Sequence, residues 1–355
     1  MKKYFKNKTV IVTGHTGFKG TWLTLFLTFL GSKVVGLSSG IPSKPSLFQI
    51  LKLSKKIRDI RVDVRDLKKM KIIFKKYKPD YVFHLAAQSL VKRSFKNPIY
   101  TFSTNFLGTL NVLESIKQLK KNCISVIITS DKSYKNFELQ RGYKENDILG
   151  GDDPYSASKG CAELVIQSYC KSFFKKNDKK RIGIARAGNV IGGGDWSEDR
   201  LVPDCIKSWS KKKRVMLRNP NSTRPWQHVL EAVWGYLILA IKLKEKSNLH
   251  GEAFNFGPNK KENKSVLKVV TEMRKSWKAV SWNIEKQKEE KESKLLKLNS
   301  NKAKKKLGWK TSLNFKETIK LTIDWYRNFY NKKSNNYNFS INQIISYQSK
   351  TKNKL

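Results

Sequence analysis

The sequence predicts an α/β chain built on a doubly wound parallel sheet, and three observations carry that prediction. Short β-branched runs alternate with helix-length stretches through the first half of the chain. A strand-to-helix turn near the start carries three glycines at three-residue spacing. Hydrophobic residues make up 39% of the 355 residues, enough to bury a core without disulfide or metal staples.

Val10-Ile-Val12 is the first strand, closed by Thr13-Gly14. Its apolar run is too short for the core of a secretion signal, despite the basic residues ahead of it. Residues 21–30 read as a helix and 33–37 as a second strand. Residues 61–63 form a short strand, 67–76 a helix, and 81–85 a strand that ends at Ala86-Ala87. Helical spacing returns over 102–119, followed by a buried-type strand at 125–128. A helix opens at Asp153-Pro154 and runs to about 174, and 181–185 is a further strand. Such βαβ alternation places consecutive parallel strands in one sheet with helices on both faces, the Rossmann arrangement.

After Ala187 the pattern breaks into Gly192-Gly-Gly194, several prolines and isolated helices such as 230–243. The expected division is therefore a nucleotide-binding domain over 1–186, with part of 226–258 returning to it. A smaller C-terminal substrate-binding region follows over 187–345. Residues from Lys332 onward, rich in Asn, Lys and Ser, read as a partly ordered tail, with 346–355 as a basic tail.

Charge narrows the function classes less than its size suggests. Lys and Arg number 73 against 28 Asp and Glu, a formal net charge of +45. A polycation of that kind could bind nucleic acid, but only 13 of the cations are Arg and they are spread along the chain. A generic basic surface with no specific nucleic-acid partner is the expectation, one that still attracts anionic substrates at low salt. The most apolar stretches, 22–30 and 232–241, fall short of the roughly 18–20 residues of a membrane span. Cys123, Cys161, Cys170 and Cys205 form no CxxC pair and no metal-like spacing with the four histidines. Free thiols in a reducing cytoplasm, and no metal, are expected.

Gly14, Gly17 and Gly20 follow a strand and open a helix, the setting in which backbone N–H groups and a helix N-terminus approach a diphosphate. An ordinary tight turn has the same spacing. His15 and Lys19 are unusual in such a loop, and Lys19 either adds a cation near the phosphates or points to solvent. The second strand ends in Leu37-Ser-Ser-Gly40 without the acid that would meet an adenosine ribose, so this position does not separate NAD from NADP. Asp63, after the third strand, is placed either to meet an adenine amino group or to cap a turn. Tyr155 and Lys159 lie at i, i+4 on one helical face, where an ammonium would favour ionisation of the phenol.

Together, Thr13-Gly14, Gly17, Gly20, Ala86-Ala-Gln88, Ser130 and Tyr155-x-x-x-Lys159 resemble the extended short-chain dehydrogenase/reductase superfamily. The finer match is to its CDP-glucose 4,6-dehydratase family. It rests on Thr13-Gly-His-Thr-Gly-Phe-Lys-Gly20, Thr129-Ser-Asp-Lys132, Asp153-Pro-Tyr-Ser-Ala-Ser-Lys-Gly-Cys-Ala-Glu163 and Ala185-Arg-Ala-Gly-Asn-Val-Ile-Gly-Gly-Gly-Asp-Trp196. Asp199-Arg-Leu-Val-Pro-Asp204, Arg224-Pro-Trp-Gln-His-Val-Leu-Glu231 and Leu307-Gly-Trp309 extend it over roughly residues 6 to 348.

The resemblance implies an NAD-dependent dehydration of CDP-glucose to a 4-keto-6-deoxy sugar, within deoxy-sugar synthesis for lipopolysaccharide or another surface polysaccharide. Tyr155, with Lys159 and Ser130, would deprotonate the C4 hydroxyl, while Asp131 serves as acid and Lys132 as base in the elimination. A simple ion pair between Asp131 and Lys132 is the alternative. Gly14, His15, Thr16, Gly17, Phe18, Lys19, Gly20, Asp63, Val64, Leu85, Ala86, Ala87 and Asn105 would join Tyr155 and Lys159 around NAD. Asn105 could equally brace the catalytic residues. The substrate would meet Gln88, Arg93, Asn189, Leu201, Val202, Arg218, Arg224 and His228, with His228 supporting the pocket rather than reacting. The two helices over 102–119 and 153–174 match those that form a homodimer interface in related enzymes. A 4-epimerase, or a dehydratase for another nucleotide sugar, keeps the same fold.

Overall fold

The protein is described here from a computed structural model that covers residues 1–175, 179–259, 262–277, 280–284 and 296–352. Strands β1 (Thr9–Thr13), β2 (Lys33–Ser38), β3 (Arg58–Arg61), β4 (Tyr81–His84), β5 (Cys123–Ile128), β6 (Lys180–Ala187) and β7 (Ala253–Phe256) form one sheet. Their spatial order is β7-β6-β5-β4-β1-β2-β3, and every neighbouring pair is parallel. The chain thus winds outward in both directions from β1 and β4, which places the crevice at the C-terminal ends of those strands.

Alternation along β1 sets the two layers. Val10 and Val12 face one apolar cluster with Trp22, Phe26, Leu230 and Leu237. Ile11 faces the other, with Val112, Ile116 and Ile166. Helices α1 (Phe18–Phe29) and α6 (Val229–Glu245) cover the first face. Helices α2 (Leu67–Tyr77), α3 (Gly108–Lys117) and α4 (Pro154–Ser172) cover the second. Asp153 caps α4 by accepting from the Ser156 N–H at 3.0 Å. The apolar stretch 232–241 is the buried middle of α6, and among the described residues no helix is long and apolar enough to cross a membrane.

Beyond β6 the chain builds the other wall of the crevice from α5 (Leu201–Ser210) and short strand pairs, then returns as β7. Helices α7 (Phe315–Tyr330) and α8 (Asn336–Lys352) close the structure.

Three elements differ from the sequence reading. The third strand is Arg58–Arg61, because Asp63 accepts from the Arg65 N–H at 2.9 Å and turns the chain before α2. The single helix expected over 102–119 is a helix Pro98–Phe102, a wider turn Ser103–Leu107, and then α3. The expected tail is α8, whose buried stripe is Ser340, Ile344, Tyr347 and Thr351. The Tyr347 hydroxyl donates to Glu231 Oε2 at 2.7 Å, and Trp325 Nε1 donates to Ser340 Oγ at 2.8 Å. Two of the four stripe residues are polar, so no hydrophobic period marked the helix.

Candidate active site

The three glycines of the first turn do different work. Gly14 has φ +73°, and a Cβ there would lie 2.7 Å from the Ala86 N atom. A Cβ on Gly20 would lie 2.0 Å from the Gly14 oxygen, so both positions serve close packing within the protein. Gly17 is the open one, where a Cβ would meet only the Gly14 oxygen at 3.4 Å. It caps α1 without any side-chain hydrogen bond, and no acidic residue follows in the first turn. The first N–H groups of α1 are left to an anion, with the helix dipole behind them.

His15 and Thr16 hold this loop from below. The His15 ring is fully buried, lies edge-on to Phe48 and places Nε2 2.9 Å from Asp59 Oδ1. Gly36 makes room for it, since a Cβ there would fall 2.4 Å from the ring. Thr16 Oγ1 donates to the Gly40 carbonyl at 2.7 Å, tying the loop to the end of β2. Phe18 packs partly buried against the core. Lys19 turns into the crevice instead of toward solvent. Burial and Arg200 push its pKa down to about 8, against the opposing pull of Asp131 and Asp195.

Facing the loop, the end of β5 carries Ser130, Asp131 and Lys132. Ser130 Oγ donates to Asp131 Oδ1 at 2.9 Å. Burial raises the Asp131 pKa, with Lys132, Ser130 and Lys19 opposing it, so the carboxyl is driven toward its neutral form. Among the described residues, the Lys132 ammonium forms no ion pair with Asp131, so the pair is not a simple salt bridge. On α4, Tyr155 is pushed up to about 12 by burial, opposed first by its hydrogen bond with Ser130. The expected depression of the phenol does not outweigh burial. Lys159 is itself pushed down to about 8 by burial and by Lys19.

On the side expected to meet adenosine, the side chains have partners within the protein. Asp63 grips Arg65 through both oxygens, Oδ1 to Nε at 3.1 Å and Oδ2 to Nη2 at 2.7 Å, as a turn carboxylate. Val64 is a core residue under Gly108. Leu85, Ala86 and Ala87 line the exit of β4, where Ala86 N donates to Thr13 Oγ1 at 3.2 Å. Asn105 braces the exit of β4. Its Oδ1 accepts from Gln88 N, and its Nδ2 donates to Gln88 O and to Ser158 Oγ, all within 3.0 Å.

The residues expected at the substrate also have neighbours within the protein. The Gln88 amide bonds to Leu90 and Thr101, and Arg93 is exposed over the Tyr100 ring at 5.4 Å. Val202 lies in the core with Leu201 partly buried beside it. His228 is buried, caps α6 through the Leu230 N–H, and is driven neutral by burial with a pKa of about 3. Asn189 stands exposed just after β6. Arg218 reaches Asp199 at 3.4 Å, and Lys92 reaches the same oxygen at 3.2 Å, so Asp199 links the two sides of the crevice. Arg224 lies on the strand Thr223–Pro225, its Nη1 donating to the Thr223 carbonyl at 3.0 Å.

Residues 11–322 match the family model for GDP-mannose 4,6 dehydratase. The chain belongs to that family. It is 43% identical over 331 residues to the CDP-glucose 4,6-dehydratase of Salmonella typhimurium, covering 92% of each chain. Its fold is shared with an epimerase from Methanothermobacter thermautotrophicus, at TM-score 0.79 and 23% identity over 94% of this chain and 96% of that one. It is also shared with a dTDP-glucose 4,6-dehydratase from Bacillus anthracis in complex with NAD, at TM-score 0.74 and 18% identity over 90% and 96%.

In this member of the GDP-mannose 4,6 dehydratase family, two features under the site escaped sequence reasoning. Glu163, one turn beyond Lys159, forms a fully buried bidentate pair with Arg186 of β6, at 2.7 Å to Nε and 2.6 Å to Nη2. The same carboxylate accepts from Thr129 Oγ1 at 2.5 Å and Ser133 Oγ at 3.3 Å, so it clamps both ends of the Ser130-Asp131-Lys132 turn. Gly188 lies against that turn from β6, where a Cβ would stand 3.0 Å from Asp131 Oδ2. Glu163 sat inside a recognised motif, but only its partner across the sheet reveals the role.

Proposed function

We propose that the chain is an NAD-dependent CDP-glucose 4,6-dehydratase, and the observation that carries this reading is Asp131. A carboxyl that burial drives neutral, held by Ser130 beside Tyr155, is a proton donor placed within a dehydrogenase site. Exchange at C4 alone needs no such acid. The 43% identity to the Salmonella typhimurium enzyme supports CDP-glucose as substrate.

The glycine turn fits a dinucleotide diphosphate, since Gly17 is open and the α1 N-terminus is uncapped. Bound NAD supplies the reversible hydride acceptor that oxidation at C4 and reduction at C6 require. Tyr155 takes the proton of the C4 hydroxyl, with Ser130 orienting the phenol and Lys159 favouring its ionised form. Once C4 is a ketone, the C5 proton is acidic, and Lys132, beside Asp131, removes it in its neutral amine form. Asp131 gives its proton to the departing C6 hydroxyl, which leaves as water.

Residues 1–186, with the returning segment within 226–258, serve the cofactor, and the region over 187–345 serves the substrate. Phe95, Ile99, Leu107 and Leu164 are exposed on the segment 91–107 and on α4, an apolar face that supports a homodimer. The reading places the protein in the cytoplasm, in deoxy-sugar supply for a surface polysaccharide, with no specific nucleic-acid partner.

The test is incubation with NAD and, separately, CDP-, dTDP-, UDP- and GDP-glucose, with products weighed by mass spectrometry. Loss of one water from CDP-glucose, reduced by at least ~100-fold in Tyr155→Phe, is expected. Conserved mass with epimerised product would replace this reading by a 4-epimerase.

A further inference from the structure

One carboxylate in the crevice wall has no work in the mechanism above. Asp204 lies on α5, is half-buried, and among the described residues its side chain has no hydrogen-bond or ion-pair partner. It lines an open groove of about 380 Å³ together with Lys207, Ser208, Val215, Met216 and Arg218. Asp199, which links Arg218 to Lys92 across the crevice, lies close enough to act on Asp204 electrostatically. Arg218 thus ties the groove, through Asp199, to Lys92 on the other side of the crevice.

Its chemistry suits a nucleobase. Val215 and the half-exposed Met216 offer an apolar surface to a flat ring, and Arg218 supplies donors at the rim. The unpartnered group at the edge is a carboxylate, which accepts hydrogen bonds and, when ionised, cannot donate. Cytosine presents an exocyclic amine as a donor at C4, and uracil and thymine present an oxygen acceptor there. Their ring N3 is likewise reversed, an acceptor in cytosine and a donor in the other two.

We propose that Asp204 reads the cytosine edge, accepting from the exocyclic amine, and is the residue that selects a cytidine nucleotide over uridine and thymidine nucleotides. Burial raises the Asp204 pKa, with Lys207 and Arg218 opposing it. The ionised form makes the discrimination, because a neutral carboxyl could turn to pair with either base. Opposite O4 of uracil, the carboxylate faces another acceptor and both groups lose their partners in water. The inference rests on the CDP-glucose reading for its biological meaning, but the groove can be probed without turnover.

Titration calorimetry with CDP and with UDP, on the full-length wild type and on Asp204→Asn and Asp204→Ala, tests it. Wild type should bind CDP about 10- to 100-fold more tightly than UDP. Asp204→Asn, whose amide can turn to pair with either base, and Asp204→Ala should each bring the ratio near one. A wild-type ratio near one, or a preference kept by both variants with unchanged thermal midpoints, overturns the proposal. If either variant fails to fold, the other decides. If the preference follows Asp204 but no CDP-glucose is dehydrated, the nucleobase inference stands and the dehydratase reading falls.

Discussion

Replacing Glu163 by Gln perturbs the site without touching any group that meets substrate. In the native chain one carboxylate accepts four hydrogen bonds, two from Arg186 and one each from Thr129 and Ser133. Glutamine keeps the shape but turns one acceptor into a donor, which must face either Arg186 Nη2 or the cluster of Thr129, Ser133 and Arg186 Nε. It also leaves a guanidinium buried to 1% exposure without its counter-charge. Losing one partner of a buried pair costs about 3–5 kcal/mol. The loss should appear as a lower urea midpoint with an unchanged slope. Because the same carboxylate clamps the turn bearing Ser130 and Asp131, kcat should fall by roughly 10- to 100-fold at temperatures where the variant is still folded. Replacing the pair together, Glu163→Leu with Arg186→Met, should recover part of the stability, since no charge is then stranded. A Glu163→Gln protein within ~1 kcal/mol of wild type and with undiminished kcat would refute the clamp.

Gly188→Ala should leave the urea midpoint within ~1 kcal/mol of wild type yet lower kcat by about tenfold, because the added methyl meets little besides Asp131 Oδ2 at 3.0 Å. Asp131→Asn should abolish water loss while raising the thermal midpoint at pH 7. The folded state raises this carboxyl's pKa, so ionisation at neutral pH costs stability that the amide does not incur, and the gain should vanish below the unfolded carboxyl range when both forms are neutral. Calorimetric scans at pH 7 and at acid pH check the sign. Tyr347→Phe should cost about 1–3 kcal/mol by removing a buried hydrogen bond to the Glu231 carboxylate, with turnover unaffected, and urea titration beside a rate assay separates the two effects.

The sheet and the reactive turn were legible because each depends on local chemistry. β1, the glycine turn and the Tyr155/Lys159 helix announce themselves through β-branched runs, three-residue glycine spacing and an Asp-Pro cap. The same local reading could not say how the polar side chains are held within the protein. Gln88 and His228 bond to Leu90 and the Leu230 N–H two residues on, and Asn105 bonds across the fold to Ser158. Helix α8 was invisible for the opposite reason: Ser340 and Thr351 complete its buried stripe, and a polar residue in a buried position leaves no hydrophobic period to read. The glycines show the limit most plainly. Their spacing marks a turn, but only the Cβ distances separate Gly17, open to a ligand, from Gly14 and Gly20, which serve the protein's own packing.

Burial drives the reactive groups toward neutrality, and that is what assigns their roles. Asp131 and Tyr155 are raised and Lys159 is lowered, each with desolvation as the largest cause. For Asp131 this is the working state, since an acid must hold its proton until the leaving hydroxyl needs it. For Tyr155 it is a resting state, because a phenol near 12 accepts no proton at neutral pH. Lys159, lowered to about 8, still carries its charge for the most part at neutral pH, and after burial it is Lys19 that lowers it most. Lys19 projects from the first turn of α1, whose free N–H groups are open to a diphosphate. An anion seated there offsets the field of Lys19 and raises the Lys159 pKa, so the ammonium one turn from Tyr155 keeps its charge to higher pH. Filling the glycine turn therefore makes the Tyr155 phenolate easier to form, which couples the chemistry of α4 to the binding of a diphosphate at α1.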